Sequence, residues 1–353
     1  MMSIVICSKS PFVKDVLKEN IALTIGIEYE IVLIDNSRQK YSIFQAYNHG
    51  VELAKGEFLC FMHEDIMFHS TDWGKIVTRL LSNPAVGLVG VSGSETIPSK
   101  GDWRFSYNYS TYVIQGHQTL GEHPLYYING VNWDIHQPCR QVVVVDGCWF
   151  CIRRELFSEG QLRFDEDNFH SFHLYDSDIS MQVNKLGLEI YLCANILVEH
   201  FSEGLYSDEY LKGLQSFFKK WQKDIPYSLQ NGKTDSDVEN ENLKNLNRRI
   251  ENDRLVRMIS DYYIAKSKGQ TLMSLPVEAE YLIEDSFYRY AKAKIKYAQT
   301  NQEARKAIHV YKEKGYKKRF YSLIRKYLFY RFFHIKNNQV LHIQSLNPQS
   351  TEI

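Results

Sequence analysis

The sequence predicts an α/β domain with a mostly parallel central sheet covered by helices on both faces, followed by a mainly α-helical module. Three observations predict it. Short apolar runs closed by polar residues alternate with helical patterns over the first ~90 residues. The alternation resumes near residue 141 and ends near 205, and beyond that point the apolar period is helical.

Ile4 to Cys7, Ile31 to Ile34 and Phe58 to Met62 are continuous apolar runs, ended respectively by Ser8-Lys9-Ser10, Asp35-Asn36-Ser37 and His63-Glu64-Asp65, and each reads as a buried strand. Helical patterns separate them at 11–24 and 42–55. In the second, Ser42 and Gln45 have capping-box spacing and Gly56 supplies the stop. Residues 71–82 lead as a third helix to a strand at Val86 to Val91. Strand–helix–strand units of this kind connect by right-handed crossovers and build a parallel sheet. Residues 93–140 show little periodicity and carry Trp103, Tyr107, Tyr109, Tyr112, Tyr126, Tyr127 and Trp133, the mark of a functional loop. Strands follow at Gln141 to Val145, Cys148 to Ile152 and Glu189 to Cys193, with a helix from Tyr175 to Leu186 stopped by Gly187, and Val198-Glu199-His200 after the last strand. The resulting divisions are an α/β domain at 1–205, a helix and linker at 206–240, a helical module at 241–336 and a polar tail at 337–353.

Composition narrows the function classes. The 353 residues are 44% hydrophobic and 24% charged with 19 Gly and 8 Pro, so the chain is neither disordered nor fibrous, and its length suits roughly two domains. The 42 basic and 42 acidic side chains are unevenly spread: residues 241–353 hold 22 basic and 11 acidic groups. An acidic front and a basic rear argue against one continuous nucleic-acid surface and for a second module facing something anionic. That surface centres on Lys312–Lys336, where nine Lys/Arg and one Glu interleave with eight aromatic residues, a pattern suited to an interfacial helix on an anionic membrane. Six cysteines, mostly within apolar runs, read as reduced and buried. Cys148 and Cys151, at i and i+3 of a strand, face opposite ways and make a poor metal clip. No apolar run reaches membrane-spanning length, so the expected location is cytoplasmic, with peripheral attachment at the inner face of the membrane.

In open α/β sheets the ligand crevice lies just past the carboxyl ends of the strands. Here those positions are Ser8, Asp35 and His63, Glu64 and Asp65. Singly, each has a plain structural role as a turn or cap residue. Their order, however, resembles the nucleotide-sugar glycosyltransferases of family 2, which have the GT-A fold. The resemblance runs through SIVICSK, EIVLIDNS, GEFLCFMHED, VVVDGCWFCIRRELF, YDSDISMQVNKLG and VEH, over residues 3 to about 204. A bacterial branch typified by a streptomycin-cluster enzyme is similar in carrying HED where most members have DxD.

The resemblance implies roles. Ser8 and Asp35 would touch the donor nucleotide, with His63 and Glu64 beside them. Asp65 would hold Mg²⁺ or Mn²⁺ against the diphosphate, and His200 would complete that metal site. Asp176 would be the catalytic base, and Asp146 and Gly147 would border donor sugar and acceptor. The chemistry needs these types, because a hard cation neutralises a departing diphosphate and a carboxylate takes the proton of the attacking hydroxyl. Asp178 is a second candidate for the base or acceptor contact. Positions i and i+2 do not share a helix face, so at most one reaches the acceptor, and Asp176 is preferred. The implied partners are a nucleotide-sugar donor, UDP-linked sugars favoured, and a glycan or lipid-linked acceptor in polysaccharide or glycoconjugate assembly, with no nucleic acid. The aromatic loop would stack on sugar faces. His117, His123 and His136 fit no metal spacing.

Two positions depart from the family pattern: His63 stands for the first Asp of DxD, and Tyr175 for the Glu of the ED motif. They leave open an alternative, a GT-A domain that binds nucleotide or glycan without catalysis. A dinucleotide oxidoreductase is disfavoured, since no GxGxxG follows the first strand.

Overall fold

The computed structural model describes residues 1–229 except 100, 107, 117–125, 128–138 and 203–206, together with 301–313, 320–330 and positions 240, 243, 244, 284, 288, 291 and 295. The chain divides into two units, Met1–Glu280 and Tyr281–Ile353. In the first, the predicted alternation is present: β1 (Met2–Ser8), α1 (Asp15–Thr24), β2 (Tyr29–Asp35), α2 (Ile43–Leu53), β3 (Phe58–Met62), β4 (Ile66–Phe68), α3 (Trp73–Leu81) and β5 (Val86–Gly90). The Ser42 hydroxyl accepts from the Gln45 backbone N–H while the Gln45 side chain accepts from the Ser42 N–H, so the capping box forms.

The segment read as an aperiodic loop holds β6 (Ser92–Ser94), β7 (Thr96–Ile97), β8 (Tyr109–Thr111), β9 (Val113–Gly116) and β10 (Tyr126–Tyr127). Strands of two to four residues are too short to write a period into sequence. Then follow β11 (Cys139–Val142), β12 (Val144–Val145), β13 (Trp149–Arg153), α4 (Glu155–Ser158), α5 (Tyr175–Lys185), β14 (Glu189–Cys193), β15 (Val198–His200), α6 (Asp208–Trp221) and β16 (Tyr227–Ser228). Strand β16 pairs with β7, and α6 carries Lys220 and Trp221 onto α5, so α6 and β16 pack on the α/β unit.

The central sheet has seven strands in the order β11-β14-β5-β13-β3-β1-β2. Its direction is mixed. Strands β1, β2 and β3 are mutually parallel, as are β5 and β14, but β13 runs antiparallel to both β3 and β5, and β11 antiparallel to β14. Apolar period reports burial and not direction, which is why β13 looked like its neighbours in sequence. The antiparallel entry matters: the chain reaches β13 from the carboxyl edge of β3, so the residues just before it, Asp146-Gly147-Cys148, lie at the edge where β1, β2 and β3 end. A second sheet, β10-β9-β15-β4, returns β15 to the same edge, with His200 opposite Ile66.

Apolar packing surrounds this edge. Phe68 stacks on Trp73 with centroids 4.3 Å apart, and Trp73 meets Trp149 edge to face. Cys60, Cys148, Cys151 and Cys193 are buried, and all six cysteines are free. Helix α6 is held from inside the unit, where Lys220 Nζ lies 2.7 Å from Asp178 Oδ1 and 2.6 Å from Asp165 Oδ2. Asp178 is 1% exposed. Removing the ammonium would strand two carboxylates, one of them fully buried, so Lys220→Met is expected to lower stability by on the order of 3 kcal/mol, read as a reduced urea midpoint at unchanged m-value.

Candidate active site

The strand-end groups form a connected cluster. The His63 backbone N–H donates to Cys148 O (3.0 Å), tying the end of β3 to the entry of β13. Strand β4 begins two residues after Glu64, and its antiparallel register with β15 sets His200 beside Asp65, fixed by Phe201 N–H donating to Asp65 O (3.0 Å). The side chains follow this backbone. His63 Nδ1 lies 3.1 Å from His200 Nε2, which is 3.4 Å from Asp65 Oδ1. Asp65 Oδ1 is 4.0 Å from His63 Nδ1, and one ligand atom from each of the three lies within 4.8 Å of the others.

Burial alone would raise the Asp65 pKa. The His200 ring, the Ser202 hydroxyl and His63 outweigh it and hold the carboxyl well below the usual range. His63 is pushed down to about 4 by burial and then by His200, so it is neutral at physiological pH. Two imidazoles and one carboxylate with ligand atoms this close together are a donor set for a divalent ion, and the nitrogens suit first-row transition ions better than Mg²⁺. The residues present therefore fit a bound metal.

Ser8 and Asp35 face one another in the β1–β2 register at the strand ends. The Ser8 hydroxyl donates to Glu64, whose other oxygen accepts from the Lys9 N–H (3.3 Å). Asp35 is exposed. Its carboxyl is lowered by the Ser37 side chain and by the Ser37 N–H, which it accepts at 2.9 Å in an Asx turn. The donor candidates thus line one rim, with Glu64 linking Ser8 to the metal-competent triad.

Asp176 lies across from that triad in the first turn of α5. The helix is pinned to β12 by Val145 N–H donating to Ser180 Oγ (3.3 Å) and to the residue before that strand by Asn184 Nδ2 donating to Val143 O (2.7 Å). Leu174, immediately before it, is buried in the left-handed region at φ 67°, a strained conformation for a branched side chain. So held, the Asp176 carboxylate accepts from Gly147 N–H (2.9 Å) and Ser177 N–H (2.7 Å). Burial, then the neighbouring Asp146 charge, raise its pKa to about 7 against those hydrogen bonds and Arg104. Asp146 itself accepts from Cys148 N–H (2.9 Å), which shapes the turn into β13.

Gly147 is the junction. Its N–H holds Asp176, and its carbonyl accepts from the Tyr175 hydroxyl at 2.9 Å, the same hydroxyl that lies 2.8 Å from His63 Nε2. Asp178 is elsewhere: it accepts from Trp221 Nε1 (2.8 Å) and Gln182 Nε2 (2.7 Å) besides pairing with Lys220, and burial raises its pKa against those partners. Its carboxylate is occupied in holding α6.

Three features escaped sequence reasoning. Tyr175 looked like a lost glutamate but bridges the two halves of the site. His63, taken for a nucleotide contact, sits among the metal-competent donors, and its H-x-D spacing at a strand end was the available signal. Arg104, in the short 3₁₀ turn Trp103–Phe105, acts electrostatically on Asp176 and had no motif to mark it. The sugar-stacking expectation is not met at Trp103 and Tyr112, which are 4% and 3% exposed within the core. Tyr107, Trp133, His117, His123 and His136 lie outside the described residues.

A family model described as "Glycosyltransferase like family" matches residues 4–221. The chain belongs to this family, and its central sheet is mixed with helices flanking it. Among solved structures it is similar to GalNAc-T7 with UDP, GalNAc and Mn²⁺, at 16% identity and TM-score 0.44. That match covers 63% of this chain and 49% of that one, so this chain spans about half of that protein's length. It is also similar to S. aureus TarS 1-349 in complex with UDP-GlcNAc, at 10% identity and TM-score 0.40, covering 83% and 81%. A third, A197 from STIV, matches at 15% identity and TM-score 0.33 over 57% and 86%. No curated protein matches the sequence.

A Cβ at Gly147 would overlap the Tyr175 hydroxyl and approach its ring carbon Cε2 at 2.8 Å. Gly147→Ala is therefore expected to destabilise the chain by about 1–3 kcal/mol, the usual cost of overpacking. Thermal unfolding of the variant checks it.

Proposed function

We propose that the protein transfers a sugar from a nucleoside-diphosphate donor, UDP-linked sugars favoured, to a hydroxyl of a glycan or lipid-linked acceptor, inverting the anomeric centre. One observation carries this reading: the Gly147 peptide joins a carboxylate of raised pKa on one side to a two-histidine, one-carboxylate cluster on the other. A diphosphate cradle and a proton acceptor on either side of one glycine are what a direct displacement at a sugar carbon needs.

Ser8, Asp35 and Glu64 would border the nucleotide at the rim, and Asp146 and Gly147 the transferred sugar. Asp65 and His200, with His63 beside them, would hold Mg²⁺ or Mn²⁺, whose charge offsets that of the departing diphosphate. Asp176 does the proton work: the acceptor oxygen forms its bond to the anomeric carbon, the bond from that carbon to the diphosphate oxygen breaks, and the acceptor proton passes to the Asp176 carboxylate. The Gly147 and Ser177 N–H groups orient that carboxylate, and the start of α5 adds the favourable end of the helix dipole. A single displacement with a single base inverts configuration. The engagement of Asp178 with Lys220 and Trp221 supports Asp176 as that base.

The exposed side chains of the second unit support a peripheral setting at an anionic membrane surface, in keeping with a role in surface polysaccharide assembly. Helices Asn301–Glu313 and Phe320–Tyr330 expose Arg305, Lys306, Lys312 and Arg325 together with Tyr321 and Leu328, a mixture suited to an anionic membrane surface. No helix among the described residues is long and apolar enough to cross a membrane.

Asp176→Asn is expected to lower sugar transfer by about 10²–10⁴-fold while leaving UDP binding by calorimetry near the wild-type value. Full turnover by this variant would remove Asp176 from the mechanism. The base must be ionised to act, so the transfer rate should rise with pH through an apparent pKa near 7 and be lost below it. A pH–rate profile without a limb in that region would contradict the assignment.

A further inference from the structure

The two departures from the family pattern touch each other. Tyr175 stands where the family has Glu, His63 where it has Asp, and the Tyr175 hydroxyl lies 2.8 Å from His63 Nε2. A phenol has one proton. A carbonyl can only accept, so the 2.9 Å bond to Gly147 O takes that proton, and the hydroxyl oxygen can then only accept from His63. Nε2 of His63 must therefore carry the hydrogen, which leaves Nδ1 as a bare lone pair. That lone pair points at His200 Nε2, 3.1 Å away, on the side where Asp65 Oδ1 also lies.

We infer that Tyr175 is a positioning residue that locks His63 in the Nε2–H tautomer, making His63 Nδ1 a metal ligand alongside His200 and Asp65 and tuning the site toward Mn²⁺-type transition ions over Mg²⁺. This rests on the glycosyltransferase reading only in supposing that a cation serves the donor diphosphate. The two substitutions compensate. A nitrogen donor replaces the carboxylate the family pattern has at 63, and a neutral hydroxyl at 175 orients that nitrogen where a glutamate would have added charge. Imidazole favours first-row transition ions, whereas Mg²⁺ favours oxygen. A hydrogen bond to the far nitrogen of a ligating histidine is the usual means of fixing its ring and tautomer. Tyr175 can do this rigidly because its ring packs edge-on against Phe44 and Tyr47.

The test uses the full chain and the ions alone. In metal-free protein, long-range ¹⁵N–¹H correlation of histidine should show His63 as the Nε2–H tautomer. Tyr175→Phe, which keeps the ring and its packing, should lose that single tautomer and weaken Mn²⁺ binding by about 10–100-fold in calorimetric or EPR titration. His63→Asp is the second variant, and it should narrow the Mn²⁺ over Mg²⁺ preference. An Nδ1–H tautomer in the wild type, or Mn²⁺ affinity unchanged in Tyr175→Phe, would overturn the inference. If the wild-type chain binds Mn²⁺ as expected yet transfers no sugar, the inference stands and the functional reading falls.

Discussion

Everything at the site depends on the peptide of Gly147, which uses both of its polar groups across the crevice: N–H to the Asp176 carboxylate and carbonyl to the Tyr175 hydroxyl. A backbone group can approach both side chains this closely only where no Cβ intervenes, because that volume is filled by Tyr175. The glycine is reached because β13 enters the sheet antiparallel, from the edge where its parallel neighbours end. Topology, turn and side-chain contact are thus one constraint. Reversing β13 would carry Asp146 and Gly147 to the far edge of the sheet and separate the two halves of the chemistry.

Environment sorts otherwise similar carboxylates into different tasks. Asp65 and Asp176 are both partly buried, yet their pKa values move in opposite directions. Two histidines and a serine hydroxyl face Asp65 and keep it ionised, while burial and then the Asp146 charge drive Asp176 toward neutrality near pH 7. Asp178, two residues along the same helix, is spent on structure through Lys220 and Trp221. Readying Asp176 has a thermodynamic consequence. Its folded pKa lies above the unfolded value of about 4, so the stability it contributes is whole below that pH and is lost as pH rises through about 7. The strained Leu174 backbone just ahead of it points the same way, since stability is given up where geometry is needed.

Much of this was legible in sequence. The strand ends at Ser8, Asp35 and His63 announced themselves because a buried apolar run must stop where polar residues begin, and the Ser42–Gln45 box marked a helix start by chemistry local to four residues. Helical geometry allowed at most one of Asp176 and Asp178 to reach an acceptor, the family resemblance favoured Asp176, and the structure shows their carboxylates engaged with different partners. What sequence could not carry was anything set by long-range pairing. The direction of β13, the short strands between Ser92 and Tyr127, and the contact of residues 112 positions apart at His63 and Tyr175 leave no local period. Aromatic richness misled for a related reason: Trp103 and Tyr112 are core in one fold and platform in another, and only burial separates the two.

That long-range contact changes how the departures from the family pattern are weighed. Taken one at a time, a histidine for an aspartate removes a charge from a cation site, and a tyrosine for a glutamate removes a carboxylate from the base region, so each reads as decay. Decay predicts independent losses, with orphaned groups left where partners are gone. At His63 and Tyr175 each side chain satisfies the other, and both are tied through Gly147 to an Asp176 that keeps its two backbone donors. Tyr175 is buried and His63 half-buried, and a polar network at that depth is stable only when its members are paired. The pairing of His63 with Tyr175 therefore removes the ground for reading the two departures as independent losses.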